Sequence, residues 1–477
     1  MKASLLIVLF IYLLPFSSAG QNKEPAAGET KSKTMLIKTD QITYLYSSKA
    51  SDRIGDWKMQ AGQNAKWQGN SEIKWNIEVV QDDSFEMFIN AWVPESGKNI
   101  KIVFNAGSET VSILLLPTKG LRVTDRNFQR IEYSPQVHLK KGIYEVSLKS
   151  ENVDNGVQVM DLRALELEPV SAVKKINADI EKAVKSRVST EWLAKAGYGL
   201  MFHYTSQSVS QDGSSLPYEE AINKFDIDKF AKMVSETGAG YVIFTIGHSQ
   251  PYCPAPIASW EKYHPGMTTK RDLIEELANA LNKKGIRLIC YMPTHVVAKY
   301  RKVSGTDFMK IHTEILQEMG KRYKEKIAGY WFDGWYQCFE EYPDVSFEEF
   351  FNACKAGYKD RIIALNSWIY PEVTPWQEYW AGEVAGFVDL PVNGHMVDGP
   401  VPDLRYQALL IMEPYWVQQR PDHPDPRFKA GELSQYIRDC MANGGAVTIN
   451  MGIFQDGTVG EKALDVMKQV RKIVRGN

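Results

Sequence analysis

The chain has 477 residues, of which 44% are hydrophobic, so it is long enough for two or three globular domains. Its 56 basic and 58 acidic residues leave a formal net charge of −2. This balance lacks the strongly basic character of nucleic-acid-binding proteins, and it fits a neutral substrate better than a polyanion. We therefore expect no nucleic-acid partner.

The N-terminus has the features of an export signal. A single Lys precedes an apolar run from Leu5 to Leu14, and small residues follow from Ser17 to Gly20. This arrangement is typical of a secretory signal peptide, so we expect residues 1–20 to be removed and residues 21–34 to form a flexible leader. The protein is then predicted to be secreted or periplasmic, with no membrane association after signal removal. An uncleaved N-terminal anchor is the alternative.

Cysteine usage argues against a disulfide framework, because five cysteines are an odd number in an exported chain. They are not spaced as C-x-x-C and form no close Cys/His set, so a structural zinc site is not expected.

From residue 35 to 170 the sequence alternates apolar and polar residues in segments such as IKWNIEVV, SFEMFINAWV and GIYEVSLKS. Turn pairs such as Asp82-Asp83 and Lys141-Gly142 separate these segments. The pattern predicts an antiparallel β-sandwich, possibly a carbohydrate-binding module. We expect it to contribute little to chemistry, since every candidate catalytic residue lies after position 197.

Residues 171–190 change to a helical period. One face of this predicted connecting helix carries Val173, Ile176, Ile180, Val184 and Val188. We expect that apolar face to pack the sandwich onto the next domain.

Residues 191–477 alternate short apolar strands with amphipathic helices. Strands are predicted at 197–204, 240–248, 286–293, 329–335, 361–368, 385–391, 408–416 and 446–452. Eight such units predict an α/β fold, a (β/α)₈ barrel that follows the sandwich. A doubly wound open sheet is the alternative, but no Gly-rich phosphate-binding turn follows the first strand.

In a barrel, side chains at the C-terminal ends of the strands converge on one pocket. The candidates at these positions are His203, His248, Tyr291, Trp331, Asp333, Asn366 and Trp368. Histidines, aromatic rings and a carboxylate in one bowl are typical of a carbohydrate site. Plainer interpretations are that Asp333 caps a turn or helix, that His203 is a core histidine, and that the rings only pack.

An ordered series of motifs resembles the α-L-fucosidases of glycoside hydrolase family 29. The series comprises GLMFHY, GAGYVIFTIGHSQPYC, KRDLIEELANALNKKGIRLICYM, YWFDG and ANGGAVTINMGIFQDGTVGEKAL. The resemblance implies a (β/α)₈-like barrel and a retaining exo-glycosidase that uses an Asp nucleophile at the end of the fourth strand. Asp333 occupies that position in YWFDG.

The same resemblance implies substrate-binding roles for His203, His248, Tyr291 and Trp331. The chain departs from the family pattern where Gly247-His248 replaces two adjacent histidines, and where Asn366-Ser367-Trp368 stands in place of an Arg. We include Trp368 as a further substrate-binding candidate. We expect no C-terminal sandwich of the usual family kind after the barrel, and a predicted sandwich precedes the barrel instead.

The family places its acid/base glutamate in a variable loop, which leaves Glu372, Glu378, Glu383 and Glu413 as candidates. The segment Trp380-Ala381-Gly382-Glu383-Val384 fits best after Asn366. Glu383 is therefore the predicted acid/base, and Glu378 is the second choice.

The prediction is an exported retaining exo-glycosidase that cleaves a terminal α-L-fucose or a related sugar from a glycan. Two carboxyl groups suffice for that chemistry, so no metal or organic cofactor is expected. The alternative is a non-catalytic carbohydrate-binding protein on a degenerate barrel. The departures at Gly247 and Trp368 favour the alternative, whereas the intact Asp333 and the nearby glutamates disfavour it.

Overall fold

A computed structural model describes residues 34–60, 63–118, 128–301, 303–390, 392–398 and 401–476. The predicted signal peptide at 1–20 and the leader at 21–34 lie outside the described residues, apart from residue 34. Within the described ranges, no helix has the length and apolar character needed to cross a bilayer.

The N-terminal part is a sheet of ten strands. The strands are β1 (Met35–Ile37), β2 (Thr43–Tyr46), β3 (Asp52–Gln60), β4 (Asn64–Val79), β5 (Asp83–Trp92), β6 (Lys101–Ala106), β7 (Glu109–Leu114), β8 (Gln129–Leu139), β9 (Gly142–Ser150) and β10 (Gln158–Pro169). Seven of them follow the order β7-β6-β9-β4-β10-β5-β8. In addition, β1 and β3 pair with β4, and β2 pairs with β10; the pairing is antiparallel except between β1 and β4. Alternate residues such as Trp75, Ile77 and Val79 on β4 are buried in a core that belongs to this sheet, which is the reason for the period-two pattern.

Two helices, α1 (Val173–Ser186) and α2 (Glu191–Ala196), connect the sandwich to the barrel. The apolar face of α1 is only partly covered, and Val184 is 36% exposed. Two ion pairs also hold helix α1: Lys175 pairs with Asp40 in the sandwich, and Lys182 pairs with Glu348 in the barrel.

The C-terminal part alternates strands and helices. Its strands are β11 (Tyr198–Phe202), β12 (Tyr241–Thr245), β13 (Arg287–Pro293), β14 (Ile327–Asp333), β15 (Ile362–Leu365), β16 (Glu383–Ala385), β17 (His395–Asp398), β18 (Val401–Arg405), β19 (Gln407–Ile411) and β20 (Ala446–Asn450). Its helices are α3 (Tyr218–Lys224), α4 (Ile227–Glu236), α5 (Ala258–Tyr263), α6 (Leu273–Asn282), α7 (Thr294–Arg301), α8 (Gly305–Tyr323), α9 (Trp335–Glu341), α10 (Phe347–Cys354), α11 (Ala430–Ala442) and α12 (Glu461–Arg475).

Eight of these strands form one parallel sheet in the order β15-β14-β13-β12-β11-β20-β19-β16, while β17 and β18 form a separate antiparallel pair. The two ends of the large sheet approach each other, because the backbone N–H groups of Glu378 and Tyr379, just before β16, donate to the carbonyl of Ile363 in β15. The predicted fold class, an α/β barrel preceded by an antiparallel sandwich, is confirmed.

The sixth and seventh barrel strands differ from their predicted bounds. The sixth was expected at 385–391 but lies at Glu383–Ala385, and Ala385 ends it with a φ of 60°. Such a left-handed backbone cannot continue a strand. The seventh ends at Ile411 rather than at 416, shortly before Pro414, which has no N–H for a sheet hydrogen bond.

Successive side chains along the barrel strands point alternately into the barrel and toward the helices, and this alternation shows where the candidate site lies. Met201, Trp331 and Ala364 belong to a core inside the barrel, whereas their neighbours Phe202 and Phe332 belong to the core between strands and helices. Side chains two residues beyond the inward positions therefore point into the mouth of the barrel. His203, Asp333 and Asn366 occupy such positions.

Candidate active site

Asp333 lies at the end of β14, with two donors on its carboxylate. The hydroxyl of Tyr291 donates to Oδ2 at 2.6 Å, and the amide Nδ2 of Asn366 donates to Oδ1 at 2.9 Å. Gly334, with a φ of 78°, is the N-cap of α9, and no side chain caps that helix. The interpretation of Asp333 as a helix cap therefore fails, and its carboxylate is available in the barrel mouth.

Glu383 lies beside Asp333, as one shared hydrogen-bond donor shows. The Asn366 Nδ2 that donates to Asp333 Oδ1 at 2.9 Å also donates to Glu383 Oε2 at 2.6 Å, so these two carboxylate oxygens lie within 5.5 Å of each other. Burial and the negative charge of Asp333 raise the pKa of Glu383 to about 8, against the opposing effect of the Asn366 hydrogen bond. At neutral pH Glu383 is therefore protonated.

The other candidate glutamates are held elsewhere. Glu378 forms an ion pair with Lys355 and accepts the N–H of Ile363 at 2.9 Å. Glu372 accepts hydrogen bonds from Ser367 and Gln377 at 2.7 and 2.9 Å.

Glu413 is buried near the end of β19 and accepts the N–H of Gly452 at 3.1 Å. Burial raises the pKa of Glu413 to about 7. Among the described residues, only Glu383 of the four candidates shares a hydrogen-bond donor with Asp333.

The two candidate histidines lie together, with ring centroids 5.2 Å apart. Asn450 contacts Nδ1 of His203 at 2.6 Å, so Nε2 is the ring nitrogen left for a ligand. Burial lowers the pKa of His203 to about 3 and also lowers the pKa of His248, which Asp333 opposes. Nδ1 of His248 is buried without a hydrogen-bond partner among the described residues.

The aromatic candidates take two different positions. Tyr291 and Trp331 stack at 5.3 Å with an interplanar angle of 14°, and both are almost fully buried. The indole of Trp331 donates to the carbonyl of Ala381 at 3.0 Å, so this ring packs inside the barrel beneath the carboxylates. Trp368 has a φ of 57° and is partly buried, and it contacts Tyr336 at 5.9 Å.

Sequence reasoning missed two members of the site and the role of a third. Asn366 was named as a strand-end candidate and as a departure from the family pattern, but its hydrogen bonds to both carboxylates were not predicted. Asn450 and Trp416 surround His203, since Trp416 lies 5.3 Å from its ring and its carbonyl accepts from the amide of Asn450 at 3.1 Å. Asn450 ends β20, so the strand-end rule could have found it, whereas Trp416 lies in an irregular loop.

A protonated carboxyl beside a carboxylate with two donors can perform acid-assisted displacement at a glycosidic carbon. Within the ranges that the structure describes, no group of three or more His, Cys, Asp or Glu side chains is arranged to hold a metal ion.

Comparison with known proteins places the chain in a family. A family model described as Alpha-L-fucosidase matches residues 219–477. Tissue alpha-L-fucosidase of Bos taurus is 26% identical, in a match that covers 34% of this chain and 42% of that protein. The chain therefore spans less than half the length of this relative.

Two solved structures give weaker matches. An alpha-L-fucosidase of Bacteroides thetaiotaomicron has 16% identity and a TM-score of 0.45 over 60% of this chain and 76% of that chain. The alpha-fucosidase of Thermotoga maritima has 16% identity and a TM-score of 0.44 over 62% and 76%. The family model, by contrast, matches more than half of the sequence. This protein belongs to the α-L-fucosidase family.

Proposed function

We propose that this protein is an exported, retaining exo-glycosidase that removes a terminal α-L-fucose or a related sugar from a glycan. The observation that carries the proposal is the Asn366 amide, which bonds Asp333 and Glu383 at 2.9 and 2.6 Å. Retaining glycosidases need two carboxyl groups about 5 to 5.5 Å apart, one ionised and one protonated. The shared donor keeps the bonded oxygens of the two carboxyl groups within 5.5 Å of each other, and the raised pKa of Glu383 supports its role as the protonated member of the pair.

In the first step, Asp333 attacks the anomeric carbon as the bond to the leaving group breaks. Glu383 gives its proton to the departing glycosidic oxygen, and a glycosyl ester forms on Asp333. The Tyr291 hydroxyl and the Asn366 amide hold the Asp333 carboxylate in place for this attack.

In the second step, the ionised Glu383 takes a proton from water, and the resulting hydroxide attacks the anomeric carbon. The ester bond to Asp333 breaks, so both carboxyl groups return to their starting protonation states. Two inversions give net retention of the anomeric configuration.

Recognition of the sugar is assigned to His203 and His248, whose rings lie at the barrel mouth beside the carboxylates. Nε2 of His203 and the unbonded Nδ1 of His248 are suited to sugar hydroxyls. Tyr291 and Trp331 form the floor of the bowl, and Trp368 is assigned to its rim.

Export is proposed from the N-terminal apolar run in residues 1–20. N-terminal sequencing of the protein recovered outside the cytoplasm tests it, since cleavage near residue 20 is expected, and an intact N-terminus in the membrane fraction would indicate an anchor.

The catalytic proposal is tested with a panel of aryl glycosides, with the anomeric configuration of the first product read by NMR. Release of α-L-fucose from the aryl α-L-fucoside supports the proposal. Initial β-product would refute retention. Binding of free sugar, seen by thermal shift, without turnover of any aryl glycoside would instead support the non-catalytic alternative.

A further inference from the structure

Arg163 of the sandwich reaches the barrel next to the candidate active site. It lies on β10 and is only 3% exposed. Its guanidinium donates to the carbonyl of Gln63 at 2.7 Å within the sandwich, and to Glu340 and the carbonyl of Tyr336 on helix α9 of the barrel. A buried arginine with charged and neutral acceptors on two domains fixes their relative position.

The same guanidinium also contacts the loop after β15. Its Cζ lies 4.3 Å from the centroid of the Tyr370 ring, and the Tyr370 hydroxyl donates to Oδ1 of Asn64 in the sandwich at 2.8 Å. Tyr370 packs edge-on against Trp368, with centroids 5.5 Å apart and an interplanar angle of 89°. Arg163 therefore supports both α9 and the loop that holds Trp368.

Both supported elements hold Asn366. The backbone N–H of Tyr336 donates to the Asn366 carbonyl at 3.2 Å, and the N–H of Trp368 donates to Asn366 Oδ1 at 3.0 Å. With its carbonyl and its Oδ1 engaged, the Asn366 side chain presents Nδ2 to Asp333 and Glu383.

We propose that Arg163 is a positioning residue for the reaction. By fixing the first turn of α9 and the Trp368–Tyr370 loop, it holds the Asn366 amide between the two carboxyl groups, so the sandwich is part of the catalytic architecture. This role rests on the proposed glycosidase function. It also replaces the expectation that the sandwich contributes little to the chemistry.

The effect passes through geometry rather than through the charge of Arg163. The pKa of Glu383 is set by its burial, Asp333 and Asn366. If the Asn366 amide moves away, Glu383 loses the hydrogen bond that opposes the rise of its pKa. The pKa of the Glu383 carboxyl is therefore a measurable quantity that loss of a purely structural arginine would leave unchanged.

The test compares Arg163→Met with Arg361→Met in the full chain. Arg361 is fully buried and donates to the carbonyls of Ile327, Cys354 and Lys324, around the start of β14 and away from the barrel mouth. Its loss removes a comparable buried guanidinium without touching Asn366. Measured quantities are kcat and KM on an aryl α-L-fucoside, and the titration of the Glu383 carboxyl by infrared difference spectroscopy without substrate. The Glu383 band is assigned by its absence in Glu383→Gln.

For the folded fraction of Arg163→Met, kcat should fall by at least about ten-fold with little change in KM, since small misplacements of catalytic groups have effects of this size or larger. The Glu383 titration should move to higher pH. Arg361→Met should change neither. Wild-type values in Arg163→Met, or equal changes in Arg361→Met, would overturn the proposal.

Two outcomes are kept apart by this design. If the wild type shows no turnover, the glycosidase function fails, but the Glu383 titration still decides whether Arg163 holds the Asn366 amide in place: a shift in Arg163→Met shows that it does, and no shift shows that it does not. If Arg163→Met does not fold, Glu340→Gln replaces it, because it weakens the same contact while it keeps the side-chain shape. A smaller change in the same direction supports the proposal, and unchanged kcat and titration in Glu340→Gln contradict it.

Discussion

Glu378 and Glu383 lie in the same short segment before and within β16, yet the barrel uses them in opposite ways. Glu378 lies near the start of β15, where Lys355 and the N–H of Ile363 both bind its carboxylate. Glu383 lies at the mouth, where its hydrogen-bond donor is a neutral amide and its charged neighbour is the Asp333 carboxylate.

The comparison shows that partners, rather than burial alone, decide the role of a buried carboxyl. Desolvation disfavours the charged form of both residues. Lys355 offsets part of that penalty for Glu378, whose pKa nevertheless stays raised, and makes it a structural link. A second carboxylate adds to the penalty for Glu383 and suits it to the proposed role of proton donor.

The largest expected effect is the loss of catalytic activity when Asp333, at the barrel mouth, is replaced. Asp333→Ala removes the proposed nucleophile, so kcat/KM should fall at least about a thousand-fold, equivalent to about 4 kcal/mol, on every aryl glycoside. Steady-state kinetics at equal folded fraction measures this. Near wild-type turnover would mean that the barrel does not use the proposed chemistry.

At the other end of the segment, the expected effect is on stability. Glu378→Ala leaves Lys355 buried without its partner, which should lower the free energy of unfolding by about 3 to 5 kcal/mol while kcat of the folded protein stays unchanged. Denaturant titration gives the stability, and the same samples are assayed for turnover. A stable but inactive variant would reverse the assignment of the two glutamates.

Substrate contacts should have smaller effects than the nucleophile. His203→Ala and His248→Ala each remove a proposed hydrogen bond to a sugar hydroxyl, worth about 1 to 3 kcal/mol, so kcat/KM should fall by about ten- to a hundred-fold with the fold intact. Circular dichroism provides the control for folding. If neither variant changes kcat/KM, both histidines are packing residues.

A further expected effect is a pH-dependent change in stability. Because the pKa of Glu383 is raised from 4.5 to about 8, the folded protein keeps a proton that the unfolded chain releases, and this contribution to stability is lost as the pH rises from about 4.5 to about 8. Glu383→Gln carries no such proton, so its Tm relative to wild type should increase from pH 5 to pH 9. A constant Tm difference over this range would show that the pKa of Glu383 is not raised.

Regular strands made most of the barrel predictable from the sequence. His203 directly follows β11, Asp333 ends β14, and Tyr291 lies two residues before the end of β13. All three strands have clear apolar runs, and alternation along them predicts that these side chains converge. The sixth strand was misplaced because its paired part is only Glu383–Ala385, too short to show a period. The choice of Glu383 depended on family spacing rather than on local pattern.

Contacts between distant parts of the chain could not be predicted in this way. Arg163 on β10 looks like one more polar residue in an alternating strand, and nothing near it in the sequence indicates that Glu340 and Tyr336 will accept its hydrogen bonds. Asn366 likewise acquires its role only when β14, β15 and β16 bring two carboxylates to one amide.

The central claim is that Glu383 is the acid/base partner of Asp333, and azide rescue tests it most directly. Glu383→Ala should still cleave aryl α-L-fucosides with good leaving groups, which depart without protonation, and added azide should accelerate the second step and give a fucosyl azide. Glu413→Ala and Glu378→Ala, which remove other buried glutamates, should show no rescue. Rescue confined to Glu383→Ala is the predicted result, and rescue of Glu378→Ala or Glu413→Ala instead would contradict the assignment.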